Sequence, residues 1–212
     1  MSKIYYIGGS PCCGKSTISE MISQKYDFNY YRVDDDLFDF IEKGAAEGDE
    51  LLSRISVMSA DELWLREPIV LHKEELMVYD KLFPYFVSKI RAFDKSKPLI
   101  VEGNALLPEL MKKLGVNKSD YVCITPTKEF QIEQYQKREW VDDYLADSSD
   151  KLQAFANWMD RDALFAEVVR KQGRNLEYTG FIVDGTISIS QMFNIIVKAL
   201  GIDDLNHLEE HK

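Results

Sequence analysis

Short apolar runs of strand length alternate along this chain with longer stretches of helical periodicity. Five runs read as buried parallel strands: Lys3–Ile7, Asn29–Val33, Pro98–Val101, Asp120–Ile124 and Gly180–Val183. Helical sequence separates them, which is the βαβ pattern of an α/β sheet. The last helix is the clearest, because Met192, Ile195, Ile196, Ala199 and Leu200 recur on one helix face and Gly201 follows as a cap. The span 37–97 carries no strand signal. It is rich in helix formers, with breaks expected near Glu67-Pro68 and Phe83-Pro84, and it reads as a helical insertion. A second helical span, 128–172, has its apolar face expected at Leu152, Phe155, Met159 and Ala163, with Arg161 about half a turn away and outside the core. No repeat or low-complexity tract interrupts the chain, and the polar tail from Asp203 to Lys212 is expected to fray. The whole of 1–212 therefore reads as a single domain.

One loop changes this picture from architecture to chemistry. Gly9 to Ser16 reads G-S-P-C-C-G-K-S, a full match to G-x-x-x-x-G-K-[ST], placed between the first strand and a helical run carrying Ile18, Met21 and Ile22. Strand, glycine loop and helix are what phosphate binding needs. Glycines let successive N–H groups converge on the anion, and the helix N-terminus adds positive potential. The whole run Gly9, Ser10, Pro11, Cys12, Cys13, Gly14, Lys15, Ser16 and Thr17 is expected to hold a nucleotide's phosphates. Lys15 would reach the β- and γ-phosphates and Ser16 would hold Mg²⁺. Asn117-Lys118-Ser119-Asp120 matches a guanine-reading motif, but it precedes a strand instead of following one and reads as a turn.

Composition narrows the partners. The chain has 212 residues, 45% hydrophobic and 29% charged, as expected of a globular domain. A net charge of −10 argues against a nucleic-acid-binding surface. No run is long enough for a membrane span, and the start lacks the apolar region of a signal peptide. Three cysteines are too few for a disulfide framework, so a reducing, cytoplasmic setting is expected. Cys12 and Cys13 read as small residues tolerated in the loop, although a helix N-terminus can also activate a thiol.

The remaining candidates sit where strands end. Val33 is followed by Asp34, Asp35 and Asp36, and ligands of open α/β sheets lie beyond the carboxyl ends of strands. Asp34 and Asp36 would point the same way if the strand continued, and either is placed to orient a hydroxyl or hold Mg²⁺. A helix cap is the competing reading. Glu102, ending the third strand before Gly103-Asn104, is a second partner for metal or substrate. Lys137, Arg138 and Arg161 are the candidate phosphate contacts of the 128–172 span, since a guanidinium matches phosphoryl oxygens, with solvated surface charge as the competing reading. Trp64 and Arg66 offer stacking and anion binding for a substrate, with core packing as the alternative for the tryptophan. His72 reads as surface-polar. Asp184-Gly185 ends the fifth strand, where a nucleotide's base would pack on the turn.

With these residues in place the chain resembles the small-molecule kinases of the P-loop superfamily, the group of adenylate, shikimate and gluconate kinases. The V-D-D-D-L run is also similar to chloramphenicol phosphotransferase and zeta-toxin-like kinases. The resemblance implies a three-layer α/β P-loop NTPase fold with a five-stranded parallel sheet in order 2-3-1-4-5, a helical insertion and a lid, using ATP and Mg²⁺. It implies catalytic roles for Lys15, Asp34, Asp36, Arg138 and Arg161. The expected activity is ATP-dependent phosphoryl transfer to a hydroxyl of a small molecule. A nucleoside or nucleotide kinase and a nucleotide-gated switch are the alternatives.

Overall fold

The computed structural model describes residues 2–203. Most of the polar tail expected to fray, 204–212, lies outside the described residues. The five strands are β1 (Ile4–Gly9), β2 (Asn29–Arg32), β3 (Leu99–Gly103), β4 (Tyr121–Pro126) and β5 (Thr179–Val183). They form one parallel sheet in the order β2-β3-β1-β4-β5. Among the described residues the α-helices are α1 (Lys15–Tyr26), α2 (Leu37–Ala46), α3 (Glu50–Ile55), α4 (Ala60–Trp64), α5 (Pro68–Ala92), α6 (Pro108–Leu114), α7 (Lys128–Gln136), α8 (Trp140–Tyr144), α9 (Lys151–Asn175) and α10 (Ile189–Ala199).

Alternation along the strands builds two cores, one on each face of the sheet. Tyr5, Ile7, Ile100, Val122 and Ile124 point to the side covered by α1 and α10. Tyr6, Leu99, Val101, Tyr121 and Cys123 point to the side covered by α5, α6 and α9. With the phosphate loop joining β1 to α1, this is the three-layer P-loop NTPase fold. The end of α10 follows its sequence signal. Gly201 has φ +62°, its N–H donates to Lys198 O, and Ile202 N–H donates to Val197 O, which together form a Schellman cap.

Several expectations need correction. Val33 belongs to a 3-10 turn, Val33–Asp36, and not to β2. β5 is an edge strand and not a buried one, with Ile182 55% exposed. The break expected at Phe83-Pro84 is absent: α5 runs for 25 residues through Pro84. Pro84 is exposed, so the carbonyl that loses its partner faces water, while Leu82, Phe83, Phe86 and Val87 keep the helix buried on its other side. The face expected on α9 is rotated. Leu152 is 86% exposed, and the buried positions are Ala154, Trp158, Asp162, Phe165, Ala166 and Val169, joined by Met159. The insertion packs directly on the sheet, since Leu52, Leu82 and Phe86 share a core with Tyr31 and Val101. The lid expected over 128–172 also divides. The carboxyl half of α9 covers β4 and β5, and α7, α8 and the start of α9 overhang the strand ends.

Gly103 ends β3 at φ +154°, and a Cβ there would lie 2.0 Å from Val33 Cγ2 and 3.0 Å from Asp34 Oδ1. Gly103→Ala is expected to destabilise the fold by about 2–3 kcal/mol through overpacking and backbone strain. In a thermal melt that is a fall of roughly 4–12 °C for a chain of this size.

Candidate active site

A cleft of about 830 Å³ lies beyond the carboxyl ends of β1, β2, β3 and β5, which bring Pro11, Asp34, Asn104 and Val183 to its walls. That volume is typical of small-ligand sites. The loop after β1 forms its floor. Gly9 has φ +135°, and a Cβ would stand 1.8 Å from Ile124 O, so β1 approaches β4 too closely for any side chain. Gly14 adopts the left-handed conformation at the start of α1, and Cys12 does so as well at φ +64°. The cysteines are packed and not activated: burial pushes the Cys12 thiol up to about 12 and raises that of Cys13, whose Sγ donates to Ser10 O at 3.0 Å.

Lys15 is only 6% exposed. Its Nζ donates to Ser10 O at 2.8 Å and to Asn104 Oδ1 at 2.9 Å. Asn104 in turn holds Asp34: its Nδ2 donates to Asp34 Oδ2 and its backbone N–H to Asp34 Oδ1, both at 3.3 Å. One amide therefore links the loop lysine to the carboxylate after β2. Burial raises the Asp34 pKa, and Lys15 and the Asn104 N–H pull against that rise. Beneath them Glu102 is wholly buried. Tyr30 donates to its Oε1 at 3.1 Å, Arg32 Nε lies 3.6 Å from the same oxygen, and Oε2 has no hydrogen-bond partner. Burial raises its pKa too, opposed by Lys15 and by the Ser16 hydroxyl.

At the other end the cleft is apolar, walled by Phe130, Val183, Ile187, Ile189 and Met192. Asp184 and Gly185 are exposed and do not line it. Asp184 closes a turn by accepting from Thr186 N at 2.9 Å, and Gly185 backs the Phe130 ring, which a Cβ would meet at 3.0 Å. Arg138 does line the cleft, its guanidinium over Tyr135 (5.1 Å) and Trp140 (5.7 Å), with no ion-pair partner among the described residues. Lys137 is turned outward to Glu133 at 2.6 Å.

The other candidates lie elsewhere. Asp36 faces away from Asp34 because the 3-10 turn replaces strand geometry. It accepts from Tyr31 OH at 2.6 Å and pairs with Lys89, so it anchors the turn to α5, and its side chain caps nothing. Arg66 pairs with Glu74 at 2.7 Å. Trp64 is core, 3% exposed, stacked on Trp158 at 4.9 Å and lying under Arg161. Arg161 belongs to a buried network between α5 and α9. Its Nε and Nη2 donate to Asp162 Oδ1 at 2.8 Å and 2.5 Å, and Glu75 Oε2 is 3.6 Å away. Tyr135 donates to Asp162 at 3.1 Å, and Tyr79 to Glu75 at 3.2 Å. His72 is buried as well, at 5% exposure. Asn104, Arg32, Gln134, Tyr135 and Trp140 complete the cleft without having been singled out in the sequence. Asn104 had one signal, its place directly after a strand-ending Glu-Gly.

Glu75 gives the buried α5–α9 network a pH signature. Burial pushes its pKa up to about 7 from an ordinary 4.5, with Arg161 opposing and Asp162 adding to the rise. A carboxyl raised on folding favours the native state while protonated, so its support is full below pH 4.5 and is lost as pH rises to 7. Glu75→Gln, which never ionises, is expected to match wild type at pH 5. At pH 8 it should be more stable by about 1–3 kcal/mol. Denaturant melts of both proteins at the two pH values check this.

No protein-family model matches the chain, and no curated protein matches it in sequence. Among solved structures it is similar to shikimate kinase from Aquifex aeolicus, at 16% identity and TM-score 0.44, over 95% of this chain and 98% of that one. It is similar to deoxyadenosine kinase from M. mycoides with bound dATP, at 17% and 0.49, over 93% and 99%. It is also similar to an uncharacterised protein from Eubacterium ventriosum, at 11% and 0.43, over 95% and 99%. With identity and TM-score this low, the ground for the fold is the chain's own sheet order and phosphate loop.

Proposed function

We propose that this protein is an ATP-dependent phosphotransferase that moves the γ-phosphate to a hydroxyl group of a small molecule. The observation that carries this reading is the Lys15–Asn104–Asp34 bridge. A loop that only binds nucleotide needs the lysine. A loop that transfers phosphate also needs a base beside it, and Asn104 fixes one there. Burial raises the pKa of Asp34, which makes it a stronger base, and Lys15 opposes that rise.

In this reading the phosphates lie on the loop N–H groups at the start of α1, with Lys15 turned to the β- and γ-phosphates. The base and ribose extend towards Phe130, Ile187 and Met192, under Arg138. Among the described residues no cluster of three or more His, Cys, Asp or Glu side chains forms a metal cage. The residues present instead fit an ion held mostly by phosphate oxygens and water, with Ser16 and the unpartnered Glu102 Oε2 as the protein's contributions. When bound, Mg²⁺ supplies charge neutralisation on the phosphates. Asp34 takes the proton of the acceptor hydroxyl. That oxygen forms the new bond to the γ-phosphorus, the bond from phosphorus to the β–γ bridging oxygen breaks, and ADP leaves with the electron pair. Arg138 is placed to meet the charge on the transferring group. Trp140 and Tyr135 roof the cleft and exclude water, which would otherwise consume ATP.

Lys15→Ala is expected to abolish turnover or weaken ATP binding, and calorimetric ATP titration with an ADP-release assay measures both. Asp34→Asn is expected to lower kcat by roughly 10²–10⁴ with a smaller change in ATP affinity. ADP release that rises saturably with acceptor supports transfer. Release indifferent to every acceptor would mark a nucleotide-gated switch instead.

A further inference from the structure

A second, smaller cavity of about 200 Å³ lies where the carboxyl half of α9 covers β4 and β5, and it shares no lining residue with the cleft. Strand register and residue size open it. Cys123 pairs with Gly180 across β4 and β5, as Thr125 does with Ile182, so these positions share the face turned to α9. Gly180 sends no side chain into the space, and Gly173 sends none from the helix opposite. Neither glycine has a positive φ, so the backbone does not demand it, and each weakens its element relative to a residue with a side chain. A Cβ at Gly173 would lie 3.0 Å from Cys123 Sγ, and one at Gly180 would lie 3.3 Å from it. β5 is the sheet edge, and Ile182, 55% exposed, stands at the rim.

The charge in this cavity is of one sign. Arg170 and Arg174, one turn apart on α9, both line it, and among the described residues no carboxylate does. Like charges at that spacing repel. The chain has 36 acidic side chains against 26 basic ones, yet neither guanidinium has an ion-pair partner among the described residues. Arg170 commits only Nη1, which donates to Pro126 O at 3.2 Å and to Thr125 Oγ1 at 3.4 Å. Burial pushes the Cys123 thiol up to about 11, so the floor stays neutral. Two guanidinium forks beside one small cavity suit a compact group with two charges and several oxygens, as a phosphate dianion has. A monocarboxylate supplies half that charge. Liquid water takes about 30 Å³ per molecule, so the cavity has room for a phosphate or a small ester and is too small for a nucleoside triphosphate.

We propose that this cavity is a second anion site, in which Arg170 and Arg174 hold inorganic phosphate or a small phosphate monoester. It stands independently of the phosphotransferase reading.

The test is a titration of the full chain with sodium phosphate, glycerol 3-phosphate and sodium acetate at pH 7.5 and constant ionic strength, read from the amide signals of Gly173, Gly180 and Phe181 in ¹H–¹⁵N spectra. The two phosphoryl compounds are expected to shift these amides saturably and to bind about tenfold or more tighter than acetate. Arg174→Ala is expected to weaken that binding about tenfold or more, and Arg174→Lys, which keeps the charge and loses the fork, by less. Arg174 is exposed, so Arg174→Ala should melt with wild type, and lost binding is not lost folding. Lys15→Ala should leave these shifts unchanged, which separates them from phosphate on the loop before α1. Tighter binding of glycerol 3-phosphate would assign the site to an ester, and tighter binding of phosphate to the free ion; either supports the proposal. No saturable shift, acetate binding as tightly as phosphate, or shifts unmoved by Arg174→Ala would overturn it and leave Arg174 as a cation at a helix end only.

Discussion

A lysine that is 6% exposed has to be compensated from every side, and the compensation of Lys15 organises the cleft around it. Burial by itself opposes its charge, but the nearby Cys13, Glu102 and Asp34 groups outweigh that, and its pKa stays above the ordinary value. The Ser10 carbonyl fixes the lysine to its own loop, and Asn104 fixes it to the end of β3. The compensating groups come from the ends of three strands: Ser10 from β1, Asp34 from β2, and Glu102 and Asn104 from β3. The register of three parallel strands is thus tied to the position of one ammonium group. The glycines at the strand ends follow from the same crowding. Gly9 against Ile124 O and Gly103 against Val33 leave no room for a Cβ where the groups converge.

The second constraint is the pair of long helices, α5 and α9, each of 25 residues. Each packs on the sheet over part of its length and also carries part of the buried Glu75–Arg161–Asp162 network. On α9, Val169 and Phe165 pack in the core below Asp162 and Arg161. On α5, Leu82 and Phe86 do so below His72 and Glu75. Side chains held this way have their rotamers set by packing, which is the condition for a preorganised binding surface. The roof is built differently. All three tryptophans of the chain stand together there, with Trp140 47% exposed, and short α8 carries that exposed edge. A roof held by aromatic contacts more than by backbone pairing is the element best suited to move.

What the sequence made legible was local. The phosphate loop was readable because strand, loop and helix are contiguous, and Asp34 because it follows the second strand at its carboxyl end. Asp36 was misread because one 3-10 turn changes the direction of the next side chains, and nothing in V-D-D-D distinguishes strand from turn. Arg161 and His72 were misassigned for a nonlocal reason, while the core reading of Trp64 holds. Their environments are set by how α4, α5 and α9 rotate against one another, and helical periodicity admits more than one rotation when a face mixes Leu152, Trp158 and Met159. Leu152 stands exposed while Asp162 is buried because Arg161 and Tyr135 satisfy the aspartate, and a hydropathy pattern cannot register a polar residue made acceptable by distant partners. Asn104 escaped for the same reason. Its two partners lie 89 and 70 residues away along the chain.

The distribution of unsatisfied groups bears on why the interior keeps them. Removing one partner of a buried charged pair is costly, but replacing a whole buried polar cluster by apolar residues of similar volume is often neutral or stabilising. His72 and Glu75 stand in a region otherwise filled by Trp64, Tyr79, Trp158 and Phe165, where leucine or phenylalanine would satisfy the packing without leaving an atom bare. Glu102 Oε2 is the same case at the floor of the cleft, wholly buried among strands of Val, Ile and Leu. Local sequence choices that cost stability without serving the fold concentrate where binding or chemistry needs them. Here Glu102, beneath Lys15 and Asp34, is one such choice, and His72 with Glu75 on α5 is another.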